Sequence, residues 1–334
     1  MSEESTILSV GIDIGTSTTQ VIFSRLTFKN SAGYFAVPHI AIVDKEVVYK
    51  SGIHRTPLKN RVMIDGEKVR DIVAEEFGKS GYRPADTQTG AVIITGESAR
   101  KENSEIVLRE LSDFAGEFVV STAGPDLEAI IAGKGSGARQ YSIDYQCTVA
   151  NLDIGGGTTD IAVITLGSMA CSTSLKLAGD ALTAAVQRFV REKYQIVVGE
   201  NMAERIKIAL GSVAPLPVPL SFEVSGKDLA TASPRTIALS DTDTREAFQP
   251  ITEKLVSAVM GILEVTPPEL GADIMRQGML LTGGGALLRG FADRITRATR
   301  IPVYVDSDPL TTVLRGAGIT LDDPEKYRDL LIEC

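Results

Sequence analysis

The sequence predicts an α/β protein of two halves built on one repeated plan, and three observations predict it. An apolar, β-branched run, Ile7 to Ile14, breaks at Gly15-Thr16-Ser17-Thr18-Thr19 and resumes at Gln20-Val21-Ile22-Phe23, which reads as two strands joined by a hairpin turn. The same unit returns as Thr148 to Ile154, Gly155-Gly156-Gly157-Thr158-Thr159 and Ile161 to Leu166. Each repeat is followed by apolar stripes at helical spacing, Val69, Ile72, Val73 and Phe77 after the first and Leu182, Val186, Phe189 and Val190 after the second.

Length and composition bound the rest. A chain of 334 residues exceeds one small core, so the repeat reads as two domains. Apolar residues at 43% and charged residues at 23% exclude a disordered chain. With 43 acidic and 34 basic residues the net charge is −9, which argues against nucleic acid as a partner, because phosphate-backbone binding draws on basic excess. No apolar run approaches the roughly 18 residues of a membrane span, and Met1 to Thr6 lacks a signal-peptide pattern. The three cysteines, Cys147, Cys171 and Cys334, are scattered without a C-x-x-C. That argues against a disulfide framework or zinc site and suits a reducing cytoplasm, the expected location.

Taken in order, Ala36 to Tyr49 alternates as a further strand pair would, and Asp65 to Gly78 is helical. Ala91 to Thr95 is a short buried strand, Ser98 to Gly116 a helix, and Phe118-Val119-Val120 the next strand. Pro125 to Gly133 opens as a helix with Pro and Asp in its first turn, which suits the helix dipole. After the second hairpin come helices from Asp180 to Tyr194 and Met202 to Leu210. A Pro-rich break at Pro215 to Pro219 leads to strands at Phe222 to Val224 and Thr236 to Leu239. A long helix from Thr244 to Glu264 carries Phe248, Ile251, Leu255, Val259 and Leu263 on one side and reads as core. Gly278 to Thr282 is a strand ending in Gly283-Gly284-Gly285, followed by a helix, a strand at Pro302 to Val305 and a closing helix from Pro309.

The chemistry sits in the turns. In Asp13-Ile14-Gly15-Thr16-Ser17-Thr18-Thr19, glycine admits close backbone approach, and successive N–H groups with hydroxyls form an anion nest. Asp13 would repel a phosphate, so its role is to hold a divalent cation beside one. Alone, this turn also reads as a plain hairpin. Asp153-Ile154-Gly155-Gly156-Gly157-Thr158-Thr159-Asp160 repeats the logic with more glycine, and the repetition points to a phosphate chain held by two turns. No P-loop G-x-x-x-x-G-K-[ST] occurs, and these turns lead into strands, unlike a Rossmann turn. Thr282-Gly283-Gly284-Gly285-Ala286 follows a strand and precedes a helix. It suits a sugar or ring laid against backbone, or simply close packing of small residues. Glu204, Arg205 and Lys207 on the helix before the Pro-rich break could bond ribose and stack on adenine, or form a solvated face.

The ordered set of Gly15-Thr16, Gly155 to Thr159 and Gly283 to Gly285 resembles the actin, sugar-kinase and heat-shock-chaperone ATPase superfamily over essentially the whole chain. That resemblance implies an actin-like fold of two duplicated ribonuclease-H-like domains with ATP and Mg²⁺ in the cleft between them. The expected domains are 1–150, completed by about 306–334, and 151–305, with a small subdomain at about 212–245. The resemblance also implies Asp13 and Asp153 near the metal, and Gly15, Thr16, Ser17, Thr18, Gly155, Gly156, Gly157 and Thr158 on the phosphates. Glu204 and Lys207, with Gly284, Gly285 and Ala286, would hold the adenosine.

Residues 1–165 are similar to the EutA family of ethanolamine ammonia-lyase reactivating factors, in Val10 to Leu26, Ile93 to Asn103 and Thr122 to Gly133. Residues 167–334 are similar to the MreB family of bacterial actins, in Ala203 to Gly211, Pro267 to Gly290 and Asp308 to Gly318. The total length also resembles MreB. The MreB likeness implies self-association into cytoskeletal filaments in cell-shape determination. The EutA likeness implies the alternative, an ATP-dependent reactivating chaperone with ethanolamine ammonia-lyase as partner. No amphipathic N-terminus supports peripheral membrane contact.

Filament-forming and chaperone members carry a water-positioning glutamate before the proline of the helix after the first domain's last strand. Here Gly124 precedes Pro125, so the expectation is either slow hydrolysis or substitution by Glu128, one turn later and the catalytic candidate. His39 and His54 read as ordinary surface residues.

Overall fold

Val10, Ile12 and Ile14 alternate along the first apolar run, and all three are buried on one face of a strand. The computed structural model of the chain describes residues 4–30, 40–60, 63–95, 98–99, 101–115, 119–123 and 125–320. They divide into two compact units, unit 1 comprising Met1–Gly135 with Val313–Cys334 and unit 2 Ser136–Thr312.

In unit 1, β1 (Glu4–Ile14) and β2 (Thr18–Asn30) form an antiparallel hairpin, with Ile14 opposite Thr19 and Glu4 opposite Lys29. β3 (Ile40–Lys50) pairs with β2. β4 (Thr89–Thr95) runs parallel to β1, and β5 (Val119–Ala123) parallel to β4. The order is β3-β2-β1-β4-β5, and the two-residue strand His54–Arg55 pairs with Thr18 and Thr19 at the start of β2.

Helix α1 (Gly66–Ser80) starts at Asp65, whose carboxylate accepts the Lys68 N–H, and stops at Gly81 with φ +79°. Its Val69, Val73 and Phe77 join Val107, Leu108 and Leu111 of α2 (Ser104–Ala115) against β1 and β2. Phe23 is fully buried there, edge-on to Phe77 and Tyr49. Its truncation to alanine would cost about 3–5 kcal/mol. The opposite face is covered by Leu127 and Ile131 of α3 (Pro125–Gly135) and by Val313 and Ala317 of the helix Thr312–Thr320, which meet Ile93.

Unit 2 repeats this topology after the short helix α4 (Ala138–Asp144). Its strands β6 (Thr148–Ile154), β7 (Thr159–Thr165) and β8 (Ser168–Leu175) form an antiparallel meander. Helices α5 (Gly179–Tyr194) and α6 (Glu200–Leu210) follow. A small sheet then pairs Ile196–Val197, β9 (Ser221–Asp228) and β10 (Pro234–Ser240). Helices α7 (Asp241–Val265) and α8 (Pro268–Gln277) lead to β11 (Met279–Thr282), α9 (Phe291–Thr299) and β12 (Val303–Val305). The main sheet runs β8-β7-β6-β11-β12, with β11 parallel to both β6 and β12. Leu182, Val186 and Val190 of α5 and Phe248, Leu255 and Val259 of α7 bury against Ala150, Leu152, Ile154, Ile161 and Val163.

Five elements differ from expectation. The helix expected from Ser98 starts at Ser104. Before it, Asn103 exchanges hydrogen bonds with the Ile64 backbone (2.9 and 2.8 Å), and the Ser98 hydroxyl is drawn to Gly15 O. In place of a strand pair there is the single strand β3, with Ala36 to His39 outside the described residues. β8, α4 and α8 went unpredicted: β8 is half-exposed and made of Ser, Thr, Met, Ala, Cys and Leu, so it shows no β-branched run.

Candidate nucleotide site

Each unit presents its Gly/Thr turn at the end of its first sheet hairpin, and the two turns close alike. The Gly15 N–H donates to Thr18 O at 2.8 Å and the Gly155 N–H to Thr158 O at 2.9 Å. A methyl group on Gly15 would lie 3.0 Å from Thr18 O, and one on Gly155 3.3 Å from Thr158 O. In unit 1, Gly15 O accepts hydrogen bonds from the hydroxyls of Thr56 (2.8 Å) and Ser98 (3.0 Å), while the Thr56 N–H donates to Ser17 O. In unit 2 the corresponding acceptors meet backbone at the start of α5. The Gly179 N–H donates to Gly155 O (3.2 Å) and the Asp180 N–H to Gly156 O (2.8 Å).

The strand-end aspartates sit beside these turns. Asp13 accepts a hydrogen bond from Thr95 Oγ1 at 3.2 Å. Desolvation pushes its carboxyl up to about 7, against the lowering effect of Thr95. Asp153 is buried and stands directly across the β6–β7 pair from buried Asp160. Sequence reasoning placed Asp160 in the motif without a role; the hairpin register that sets it opposite Asp153 is the signal that finds it.

The third glycine run separates by residue. At Gly283, φ is +74°, and a methyl would fall 2.4 Å from Ile154 O and 2.5 Å from Asp153 Oδ1. At Gly285 it would fall 2.3 Å from Ile154 Cγ2. Both glycines are therefore required by packing against β6. Gly284 is different, with Leu310 as its nearest neighbour at 3.5 Å, and Ala286 is buried.

Glu204 and Lys207 come together on α6 at 2.7 Å. Glu204 also accepts the Thr183 hydroxyl at 2.5 Å, and Lys207 Nζ donates to Gly179 O at 3.2 Å, so the pair ties α6 to the start of α5 beside the Gly155 turn. Arg205 instead lies over the Phe222 ring. Glu128 is buried in α3, and Gly124 lies outside the described residues. His54 is half-buried rather than an ordinary surface residue. Its Nε2 lies 3.0 Å from Glu76 Oε1, and Glu76 also accepts from Tyr49 and Lys79 at 2.7 Å. Burial pushes the Glu76 carboxyl up, but its three donors outweigh that and hold it below the usual range. His39 lies outside the described residues.

Residues 5–210 match the family Ethanolamine utilisation protein EutA, and residues 150–320 match the family Cell division protein FtsA. The cell shape-determining protein Mbl of Bacillus subtilis is 31% identical over 270 residues, 81% of this chain and 79% of that protein. The chain belongs to the actin-like ATPase superfamily.

Within that superfamily its first part is of the EutA family, and its second part aligns with the MreB and FtsA side. The ethanolamine ammonia-lyase reactivase EutA of Escherichia coli is 40% identical over 176 residues, 53% of this chain but 38% of that protein. The crystal structure of MreB5 of Spiroplasma citri bound to AMPPNP has the same actin-like fold, with a TM-score of 0.71 over 97% of this chain and 99% of that one at 24% identity. The two family matches overlap in residues 150–210, the stretch that holds the Gly155 turn, Gly179, Glu204 and Lys207. Among the described residues of this actin-like chain, no helix is long and apolar enough to cross a membrane.

Proposed function

We propose that this actin-like chain binds ATP with Mg²⁺ through the Gly15–Thr18 and Gly155–Thr158 turns and assembles into nucleotide-dependent filaments of the cell-shape type. The observation that carries the reading is the pair of turns, closed by the same glycine-to-threonine hydrogen bond and each following a strand-end aspartate. Backbone N–H groups and threonine hydroxyls would take the phosphate oxygens, which is why no surplus of lysine is needed. Glu204, Lys207, Gly284, Gly285 and Ala286 would hold the adenosine.

The cation is argued from the donors. Asp13 and Asp153 would each offer carboxylate oxygens to it. That suits Mg²⁺, which keeps several waters and takes phosphate oxygens alongside one or two carboxylates. Bound Mg²⁺ would neutralise charge on the phosphates. Hydrolysis would be slow, with Glu128 the candidate for orienting water; unchanged ATP turnover in Glu128→Gln would remove it from that role.

The cell-shape reading is supported by the likeness to the cell shape-determining protein Mbl across most of both chains, and filament assembly is what the MreB resemblance implies. Head-to-tail stacking is a heterologous contact that does not close on itself. Sedimentation and electron microscopy with ATP and Mg²⁺ test it: polymer is expected with ATP, and protein that stays monomeric at high concentration overturns it. The EutA match over residues 5–210 favours a second reading, an ATP-dependent reactivase of ethanolamine ammonia-lyase. Its test is restored turnover of the inactivated lyase upon addition of this chain with ATP.

A further inference from the structure

We infer that Thr56 and Ser98, which lie outside every glycine motif, are positioning residues that aim the backbone of the first phosphate turn. The inference rests on the nucleotide reading above and deepens it. Gly15 O is the meeting point. The Thr56 hydroxyl donates to it at 2.8 Å and the Ser98 hydroxyl at 3.0 Å. Both residues are buried, Ser98 completely. Because the Thr56 proton is committed to Gly15 O, the Thr19 hydroxyl, 3.0 Å away, is the donor to Thr56. The Thr56 N–H meanwhile holds Ser17 O at 2.9 Å. Three elements therefore converge on one carbonyl: the hairpin itself, the segment after the strand His54–Arg55, and the segment after β4.

The consequence follows from peptide planarity. In a trans peptide the C=O and the following N–H point in opposite directions. Fixing Gly15 O toward Thr56 and Ser98 fixes the Thr16 N–H toward the other side of the turn, in the direction an anion nest requires. The two hydroxyls touch no phosphate in this arrangement. They set the angle at which a backbone donor meets one, and so they act on phosphate affinity and leave nucleoside affinity alone.

The test is calorimetric titration of the full chain with Mg-ATP and, separately, with adenosine. Thr56→Val and Ser98→Ala each remove one hydroxyl at nearly constant volume, and each is expected to weaken Mg-ATP binding about 5-fold, or about 20-fold together. Adenosine affinity is expected to stay at the wild-type value. Thr56→Ser keeps the hydroxyl and loses the methyl, so it is expected to retain Mg-ATP affinity even where its melting temperature falls. Wild-type Mg-ATP affinity in the double variant would overturn the inference and leave the nucleotide reading standing. So would an equal loss for adenosine, or Thr56→Ser behaving like Thr56→Val. Wild-type protein that does not bind Mg-ATP would overturn both.

Discussion

The two Gly/Thr turns close with the same hydrogen bond, yet the layer behind them is built from different material. Behind the unit 1 turn, side chains do the holding: Thr56 and Ser98 hydroxyls on Gly15 O. Behind the unit 2 turn, backbone does it: the Gly179 and Asp180 N–H groups at the start of α5 on Gly155 O and Gly156 O. A hydroxyl can be lost by one side-chain change that releases only the peptide it holds, whereas a helix N-terminus can be displaced only by moving the helix. The duplicated topology β3-β2-β1-β4-β5 and β8-β7-β6-β11-β12 thus fixes where the turns fall, and each unit stiffens its turn in its own way. Unit 1 is expected to be tunable by side-chain exchange and unit 2 to respond chiefly to changes in packing.

The largest expected effect tests that contrast in the third glycine run. Gly283→Ala should cost about 3 kcal/mol or more, since it combines a left-handed backbone with overlap on Ile154 O. Gly284→Ala, with 3.5 Å to its nearest neighbour, should stay within about 0.5 kcal/mol. Chemical denaturation of both variants checks this, and equal losses would show that the run acts as one packing unit. Next in size, Asp13→Ala combined with Asp153→Ala should weaken Mg-ATP binding by about 100-fold or more, as two charge-assisted contacts are removed. Titration with and without Mg²⁺ measures it. If either single variant alone accounts for the whole loss, one turn carries the cation.

Much of this was legible in the sequence because strand, Gly/Thr turn and strand are local signals, and the helical stripes on α1, α5 and α7 join the cores except at Ile72 and Phe189, which are only partly buried. What was not legible depends on partners far along the chain. Thr56 and Ser98 are 41 and 83 residues from Gly15, and nothing in their neighbours' identities marks them as its donors. The same holds for Lys207, whose bond to Gly179 O spans 28 residues, and for Asn103, which bonds Ile64 across 39 and delays the start of α2. Histidine 54 read as a surface residue because burial at an edge strand is decided by α1, which brings Glu76 to it. Of the third glycine run, sequence could not separate Gly283 and Gly285, required by β6, from Gly284.

A smaller effect separates the two aspartates by pH. Desolvation holds the Asp13 carboxyl up near 7 in the folded chain. A carboxyl raised above its unfolded value favours folding fully below about 3.8, and that contribution is lost as pH rises through 7. Cation binding needs the ionised form, so it runs the other way. The Mg²⁺-dependent gain in ATP affinity should rise about tenfold between pH 6 and pH 8 and be flat in Asp13→Asn. Titration at three pH values decides it, and an unchanged rise in Asp13→Asn would move the titrating group elsewhere.

The smallest expected effect concerns Glu204 and Lys207, where the two units differ most. Unit 2 has an ion pair that reaches the backbone of its turn support, since Lys207 bonds Gly179 O and Glu204 holds Thr183 at the first turns of α5. An ion pair of this spacing on one helix contributes only a few tenths of a kcal/mol, so Lys207→Met should lower stability by less than about 1 kcal/mol. Its effect on ligands is the sharper readout. If the pair holds the adenosine, Lys207→Met and Glu204→Gln should each weaken ATP and adenosine by a similar factor of about 3 to 10 and leave inorganic triphosphate unaffected. If the pair instead supports the turn through Gly179, triphosphate and ATP should weaken together and adenosine should not. The second outcome would give unit 2 a side-chain device beside its backbone one, and the two turns would then differ in degree where they now differ in kind.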